Sequence, residues 1–126
     1  MGYTSDVKIV FYTLDVAALP LAALKLWFDE NYPLTEAREW EAEVKVGDDY
    51  VVVSYEGVKW YEQYDHPTNV RAAIQSFVNT FETDQYETSH AAYEMVEVGE
   101  DLADIGIDRS NNSEFRLNVS RSIEFM

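Results

Sequence analysis

Alternation of apolar and polar side chains predicts strands in four regions of the chain. The predicted strands are residues 6–13, a hairpin over 36–56, residues 89–98 and residues 114–125. Gly47-Asp48 supplies the hairpin turn, because glycine accepts positive φ without steric cost. In the last strand one face is apolar and consists of Phe115, Leu117, Val119, Ile123 and Phe125.

A helical spacing of apolar residues predicts two helices. The first covers residues 16–31 and begins either after an Asp15 cap or at Pro20, which only a first turn tolerates. The second covers residues 66–82, with Asp65 as its cap and Pro67 in its first turn. Its buried stripe consists of Val70, Ile74, Phe77, Val78 and Phe81.

The order of elements is strand, helix, strand, strand, helix, strand, strand, with residues 109–113 as a polar loop. Such an order predicts a single α+β domain over residues 1–126. The expected topology is a ferredoxin-like βαββαβ core with an additional C-terminal strand. Its sheet is antiparallel with helices on one face. An exposed edge strand can pair with a second copy of the same chain, so a homodimer is considered alongside a monomer.

The charge of the chain changes this picture, since 24 acidic and 9 basic side chains give a formal net charge of −15. A folded body this negative repels phosphate backbones and anionic lipids, so direct binding of nucleic acid or membrane is not expected. A partner protein with a basic groove is favoured instead. The alternative is that the charge only keeps the protein soluble. The absence of cysteine excludes disulfides and thiolate chemistry.

Arg121 falls on the apolar face of the last predicted strand. A guanidinium cannot lose its charge, so it must be paired or reach water. One interpretation is an arginine that pairs with a carboxylate or extends to solvent. The other is an anion-binding arginine in a cleft.

Nine acidic residues and no Lys or Arg lie between positions 82 and 108. Within this run, Glu100, Asp101 and Asp104 follow a predicted strand. Their spacing does not match a calcium loop, so no metal or other cofactor is predicted. The alternatives are a solvated acidic surface and a surface that imitates nucleic-acid phosphates.

Lys59, Trp60 and Tyr61 form an aromatic group, with Tyr55 and Tyr64 near it. Aromatic side chains with one polar atom are common in interfaces and ligand pockets, and are equally ordinary core residues. The chain has no phosphate-binding loop, nucleophile elbow or zinc motif, and its two histidines are not paired with a nucleophile. A non-enzymatic role is therefore favoured.

Four short blocks stand out in order along the chain: Met1 to Val7, Val58 to Tyr61, Val98 to Ile105 and Ser120 to Phe125. In these blocks the sequence resembles a family of small proteins encoded by bacteriophages and prophages that begin with Met-Gly-Tyr-x-Ser. The resemblance implies a phage accessory protein acting in the cytoplasm of the infected bacterium. It transfers no catalytic residue.

Two functional hypotheses follow. In the first, the protein inhibits a host defence or nucleic-acid-processing protein by imitating the charge of DNA. Its acidic interaction face would comprise Glu41, Glu43, Glu82, Asp84, Glu87, Glu94, Glu97 and Asp108. In the second, it binds a nucleotide or acts as an enzyme, with a pocket around Arg121, Lys59, Trp60 and Tyr61.

The same four blocks also supply candidate binding residues for either hypothesis. They are Tyr3, Ser5, Lys59, Trp60, Tyr61, Glu100, Asp101, Asp104 and Arg121. Within this set we expect Arg121 to pair with Glu100 or Asp101, with Trp60 and Tyr61 packed beside the pair.

Overall fold

The computed structural model describes residues 4–34, 40–61, 63–81, 90–99, 105–119 and 123–125. The elements in chain order are β1 (Ser5–Thr13), α1 (Leu21–Asn31), β2 (Glu43–Val46), β3 (Tyr50–Val58), α2 (Asp65–Phe81), β4 (Ala91–Gly99), β5 (Ile105–Arg109), β6 (Leu117–Val119) and β7 (Ile123–Phe125). Neither helix has the length and apolar character that a membrane crossing requires, among the residues that the structure describes.

Five strands form one sheet in the order β2-β3-β1-β4-β5. Every neighbouring pair in it is antiparallel. The order β2-β3-β1-β4, with one helix after β1 and one after β3, is the ferredoxin-like arrangement. The predicted α+β fold is therefore confirmed, and β5 extends the sheet beyond β4.

Both helices pack on the same face of the sheet, as predicted. On this face Phe11 of β1 lies with its ring centroid 5.1 Å from that of Trp27 in α1 and 5.0 Å from that of Phe77 in α2. The rings meet at tilted angles, which suits the charge distribution of aromatic faces and edges. This aromatic cluster joins the two helices to the central strand.

The opposite face of the sheet is covered by a separate hairpin of β6 and β7. Leu117 of this hairpin is fully buried against Val10 and Tyr12 of β1. Phe125 of β7 packs edge-on to Tyr50, with ring centroids 4.7 Å apart. Since β1 and β4 are covered on both faces, their sequences are nearly continuous apolar runs.

A fully buried carboxylate, that of Glu94 in β4, anchors the chain just before this hairpin. Its Oε2 accepts hydrogen bonds from the Tyr12 hydroxyl at 2.6 Å and from the Arg116 backbone N–H at 2.9 Å. Its Oε1 accepts from the Leu117 backbone N–H at 2.9 Å and from Arg109 Nε at 3.3 Å. A buried charge that is paired and fully hydrogen-bonded in this way is tolerated in a core.

Arg116 ties the same segment to the β2–β3 turn. Its guanidinium donates to both carboxylate oxygens of Asp49, at 3.0 and 2.8 Å. It also lies 4.0 Å from the centroid of the Tyr12 ring. The hydrogen bonds to Asp49 raise the already high pKa of this arginine, so its charge is permanent.

The C-terminal region differs most from the sequence-based expectation. Residues 114–125 do not form one strand: Phe115 has a φ of 57°, so the extended backbone begins only at Leu117, and the chain then forms β6 and β7, which pair with each other. A bulky residue at positive φ cannot continue a strand. Arg109, expected in a polar loop, is the last residue of β5. This five-residue strand went unrecognised because Gly106 and Asp108 are poor strand formers.

Two smaller differences occur nearer the N-terminus. Helix α1 begins at Leu21 with Pro20 before it, so the later of the two expected starts is correct. The Asp15 carboxylate instead accepts from the N–H groups of Ala17 and Ala18 and caps a separate turn. The first strand of the predicted hairpin starts only at Glu43.

Replacing Gly57 with alanine is expected to destabilise the protein by about 1–2 kcal/mol. Gly57 has a φ of 59°, which costs an L-residue energy even though its position has open space for a Cβ. Gly106→Ala is the matched control, because its added Cβ would make only ordinary contacts with Glu97, at 3.5 Å. Denaturant unfolding of both variants tests this. Equal losses of stability would contradict it.

Candidate functional site

A groove of about 1360 Å³ lies at the end of the sheet where β2 stops short of the end of β3. The exposed half of β3, the start of β1, the start of α2 and the residues just before β2 line it. The lining side chains used below are Asp6, Lys8, Trp40, Glu41, Glu43, Glu56, Lys59, Tyr64, Asp65 and His66. It is about three times as large as a second groove of about 440 Å³.

Aromatic rings form one wall of this groove. Trp40 stacks on His66, with ring centroids 5.1 Å apart and planes inclined by 24°. Tyr64 meets Trp40 edge-on at 5.9 Å and is 39% exposed. Trp60 lies behind Trp40 at 6.1 Å and is buried. The groove therefore presents ring surface to a ligand, backed by a packed second layer.

A chain of three hydrogen-bonded groups runs from the core to this wall. The Tyr32 and Tyr55 hydroxyls lie 2.8 Å apart, and the Tyr55 hydroxyl lies 2.9 Å from His66 Nε2. Burial raises the pKa of Tyr55 to about 12, and it raises that of Tyr32 as well. Both hydroxyls therefore stay protonated, and their hydrogen bonds position the imidazole of His66.

Burial lowers the pKa of His66 below its ordinary value of 6.5. Its place in the first turn of α2 acts in the same direction, since a helix N-terminus disfavours a cation. The ring is therefore neutral at pH 7. In this state it is a flat, uncharged surface under Trp40.

Stability is expected to fall as the pH is lowered through 6.5, because the unfolded chain then takes up a proton that folded His66 resists. The loss levels off below the folded pKa. An NMR titration of the His66 ring, with denaturant unfolding of wild type and His66→Gln between pH 5 and pH 8, measures both effects (about the range in which histidine titrates). His90→Gln is the control and retains the pH dependence. A His66 ring that titrates above 6.5 would contradict the expectation.

The charge of the groove is negative. Five carboxylates line it against two lysines, Lys8 and Lys59. The carboxylates are those of Asp6, Glu41, Glu43, Glu56 and Asp65, and all five residues are exposed. With His66 neutral, the groove favours a cationic ligand over an anionic one.

The predicted acidic face is not one surface. Glu41 and Glu43 lie at this groove, Glu41 just before edge strand β2 and Glu43 as its first residue. Glu97 and Asp108 line a second groove of about 440 Å³, between α2 and the opposite edge strand β5. Glu94 was wrongly assigned to the face, because its carboxylate is fully buried and takes up four hydrogen bonds.

The predicted binding residues are only partly brought together. Lys59 lines the groove, Trp60 is buried behind its wall, and Tyr61 packs on Tyr64 with centroids 5.6 Å apart. Ser5 is half-buried at the start of β1, where it pairs with Val58. The remaining predicted positions lie outside the described residues: Tyr3, Glu82, Asp84, Glu87, Glu100, Asp101, Asp104 and Arg121. The expected pairing of Arg121 with Glu100 or Asp101 lies there too.

Sequence reasoning missed Trp40 and His66 as groove residues, along with Asp6, Glu56 and Asp65. Trp40 falls within the predicted hairpin over 36–56, whereas it precedes β2 and reaches across to the start of α2. The sequence did carry one indication of the aromatic wall, namely the short separation of Tyr64 and His66 along the chain. Among the described residues, no group of three or more His, Asp or Glu side chains has an arrangement that could hold a metal.

Comparison with known proteins adds no assignment. No protein-family model, curated protein sequence or solved structure matches the chain. The case for a function therefore depends on the groove itself.

Proposed function

We propose that this protein is a non-enzymatic binding protein whose groove receives a basic segment of a partner protein. The observation that carries the proposal is the composition of the groove. Five carboxylates line the groove together with the Trp40 and Tyr64 rings, against only two lysines.

Arginine and lysine side chains suit both features of this groove. A guanidinium binds a carboxylate through two parallel hydrogen bonds and stacks on an aromatic ring. A cation over a tryptophan or tyrosine face contributes about 0.5–2 kcal/mol. The net charge of −15 also attracts a basic partner from a distance and speeds association.

The partner class that fits this chemistry is a protein that handles nucleic acid. Such proteins carry basic channels for phosphate backbones, and an acidic body bound there excludes the nucleic acid. The resemblance to phage-encoded proteins supports a role as an inhibitor of host defence or nucleic-acid processing. In that role the protein works in the cytoplasm of the infected bacterium.

The alternative function, binding of a nucleotide, has less support. Of the four residues expected around its pocket, Lys59 lines the groove and Trp60 is buried behind it. A nucleotide phosphate would meet five carboxylates there, which repel it.

Affinity capture from bacterial lysate at about 0.05 M and about 0.5 M salt tests the proposed function. We compare wild type with Glu41→Lys/Glu56→Lys, followed by mass spectrometry. Glu30→Lys/Asp48→Lys is the control, since it changes the net charge equally at exposed sites outside the groove.

The expected result is a basic nucleic-acid-handling protein that wild type and the control variant retain at low salt, and that is released at high salt. The groove variant loses it. Capture that survives high salt, or that the groove variant retains as well as wild type does, would contradict the proposal.

A further inference from the structure

Strand β2 covers only the first half of its neighbour β3. The last paired residues are Glu43 and Ser54, and β3 continues to Val58. Residues 40–42 are not part of the ladder, because Trp40 turns towards the helices and stacks on His66. The outer edge of β3 from Tyr55 to Val58 is thus left without a partner strand among the described residues, and it lines the groove.

The direction of the backbone groups on this edge follows from two hydrogen bonds. Gly47 N–H donates to Tyr50 O at 2.9 Å, and Thr13 N–H donates to Asp49 O at 2.8 Å. In an antiparallel sheet, successive residues of a strand alternate between their two neighbours. Even-numbered residues of β3 therefore point towards β2, and Glu56 points its N–H and C=O into the groove beyond the end of β2.

The pairing of β3 with β1 is irregular next to this edge, at Gly57. The register of β1 against β3 shifts between Ser5 and Val7, and the Gly57 N–H donates to the Asp6 carboxylate at 2.9 Å. This irregularity bends the end of β3, and Glu56 and Gly57 are both exposed.

We propose that the basic partner segment binds as an extra strand along β3 from Tyr55 to Val58, in line with β2. This mode of binding rests on the proposed function and specifies how that groove is filled. The Glu56 N–H and C=O pair with the backbone of the segment, which is extended over about 13 Å for four residues.

Side chains of an added strand alternate between the two faces of the sheet. On the helix side they meet the Trp40 and Tyr64 rings and Asp65. On the other side they meet Glu43 and Glu56, whose positions alternate with the partly buried Val44 and the buried Tyr55 on the helix side. Carboxylates thus line both faces, so an extended segment with basic residues at alternate positions meets them whichever face those residues take.

The test uses a defined probe, the acetylated and amidated hexapeptide (Arg-Val)₃. Two further versions carry N-methyl groups on its three arginines or on its three valines. All three have the same charge and side chains. In an added strand the amides of alternate residues face β3, so either the arginine amides or the valine amides pair with it. The version methylated on that set is expected to bind about tenfold or more weakly than the other.

Amide hydrogen exchange at Glu56 gives a second readout on the intact protein. Strand addition slows exchange of this N–H in the complex with the unmethylated peptide. Equal binding of both methylated versions, with no protection at Glu56, would overturn strand addition and leave the proposed function standing. No binding of the unmethylated peptide would overturn both. Protection of Glu56 that rises with protein concentration without peptide would assign the edge to a second copy, and would also overturn the proposal.

Discussion

Replacing Glu94 with alanine is expected to lower the free energy of unfolding by about 3–5 kcal/mol, the cost of breaking a buried ion pair. The substitution removes the acceptor for four donors at once. Arg109 loses its buried carboxylate partner, and the Tyr12 hydroxyl and two backbone N–H groups lose theirs. The segment that leads into β6 is then no longer fixed to the sheet.

Denaturant unfolding measures this loss, and amide exchange at Leu117 reports release of the β6 segment. Glu30→Ala is the control, since Glu30 is exposed on α1 and its removal is expected to change stability by less than about 0.5 kcal/mol. A Glu94→Ala variant within about 1 kcal/mol of wild type would contradict the network described for this carboxylate.

Replacing Phe11 with alanine is expected to cost a similar amount, about 3–5 kcal/mol. Phe11 is fully buried at the centre of β1. Its ring contacts those of Trp27, Phe28, Tyr32 and Phe77, so its removal leaves a cavity bounded by both helices and Tyr32.

Phe115→Ala is the matched control for this change, because the same atoms are removed from a residue that is 60% exposed. The Arg109 guanidinium lies 4.9 Å from the centroid of the Phe115 ring. The substitution removes this cation–π contact, so the expected loss of stability is about 1 kcal/mol. Thermal or denaturant unfolding of the pair measures the difference. Similar losses for the two variants would show that Phe11 does not occupy the core as described.

The sequence predicted the elements whose apolar periodicity is strong. Helix α2, strands β1 and β4 and the β2–β3 hairpin carry patterns that extend over several residues, so their types and order followed directly. Strand β5 has five residues and contains Gly106, so local pattern did not mark it. It pairs with β4, a tertiary interaction that propensity does not contain.

The C-terminal region shows a different limit. Its alternation correctly grouped Leu117, Val119, Ile123 and Phe125, which all pack against the same face of the sheet. Alternation along one strand and alternation along two strands of a hairpin look alike in sequence. The positive φ of Phe115, which delays the start of β6 to Leu117, has no sequence signal because phenylalanine rarely adopts it.

The candidate site was predictable only in part. The aromatic character around residues 59–64 marked the right region, and Lys59 lies in the groove. The stacking of Trp40 on His66 depends on where the chain enters β2, which no local pattern encodes. Glu94 illustrates the converse, since an acidic residue in a strand looks exposed until its buried donors are known.

The groove is tested as the binding site by titrating the (Arg-Val)₃ peptide into wild type, Glu41→Lys/Glu56→Lys and Glu30→Lys/Asp48→Lys, with tryptophan fluorescence as the readout. We expect the groove variant to bind about tenfold or more weakly than wild type, while the equally charged control stays within about threefold. Equal weakening in both variants would show that net charge alone attracts the peptide. The groove would then not be the binding site.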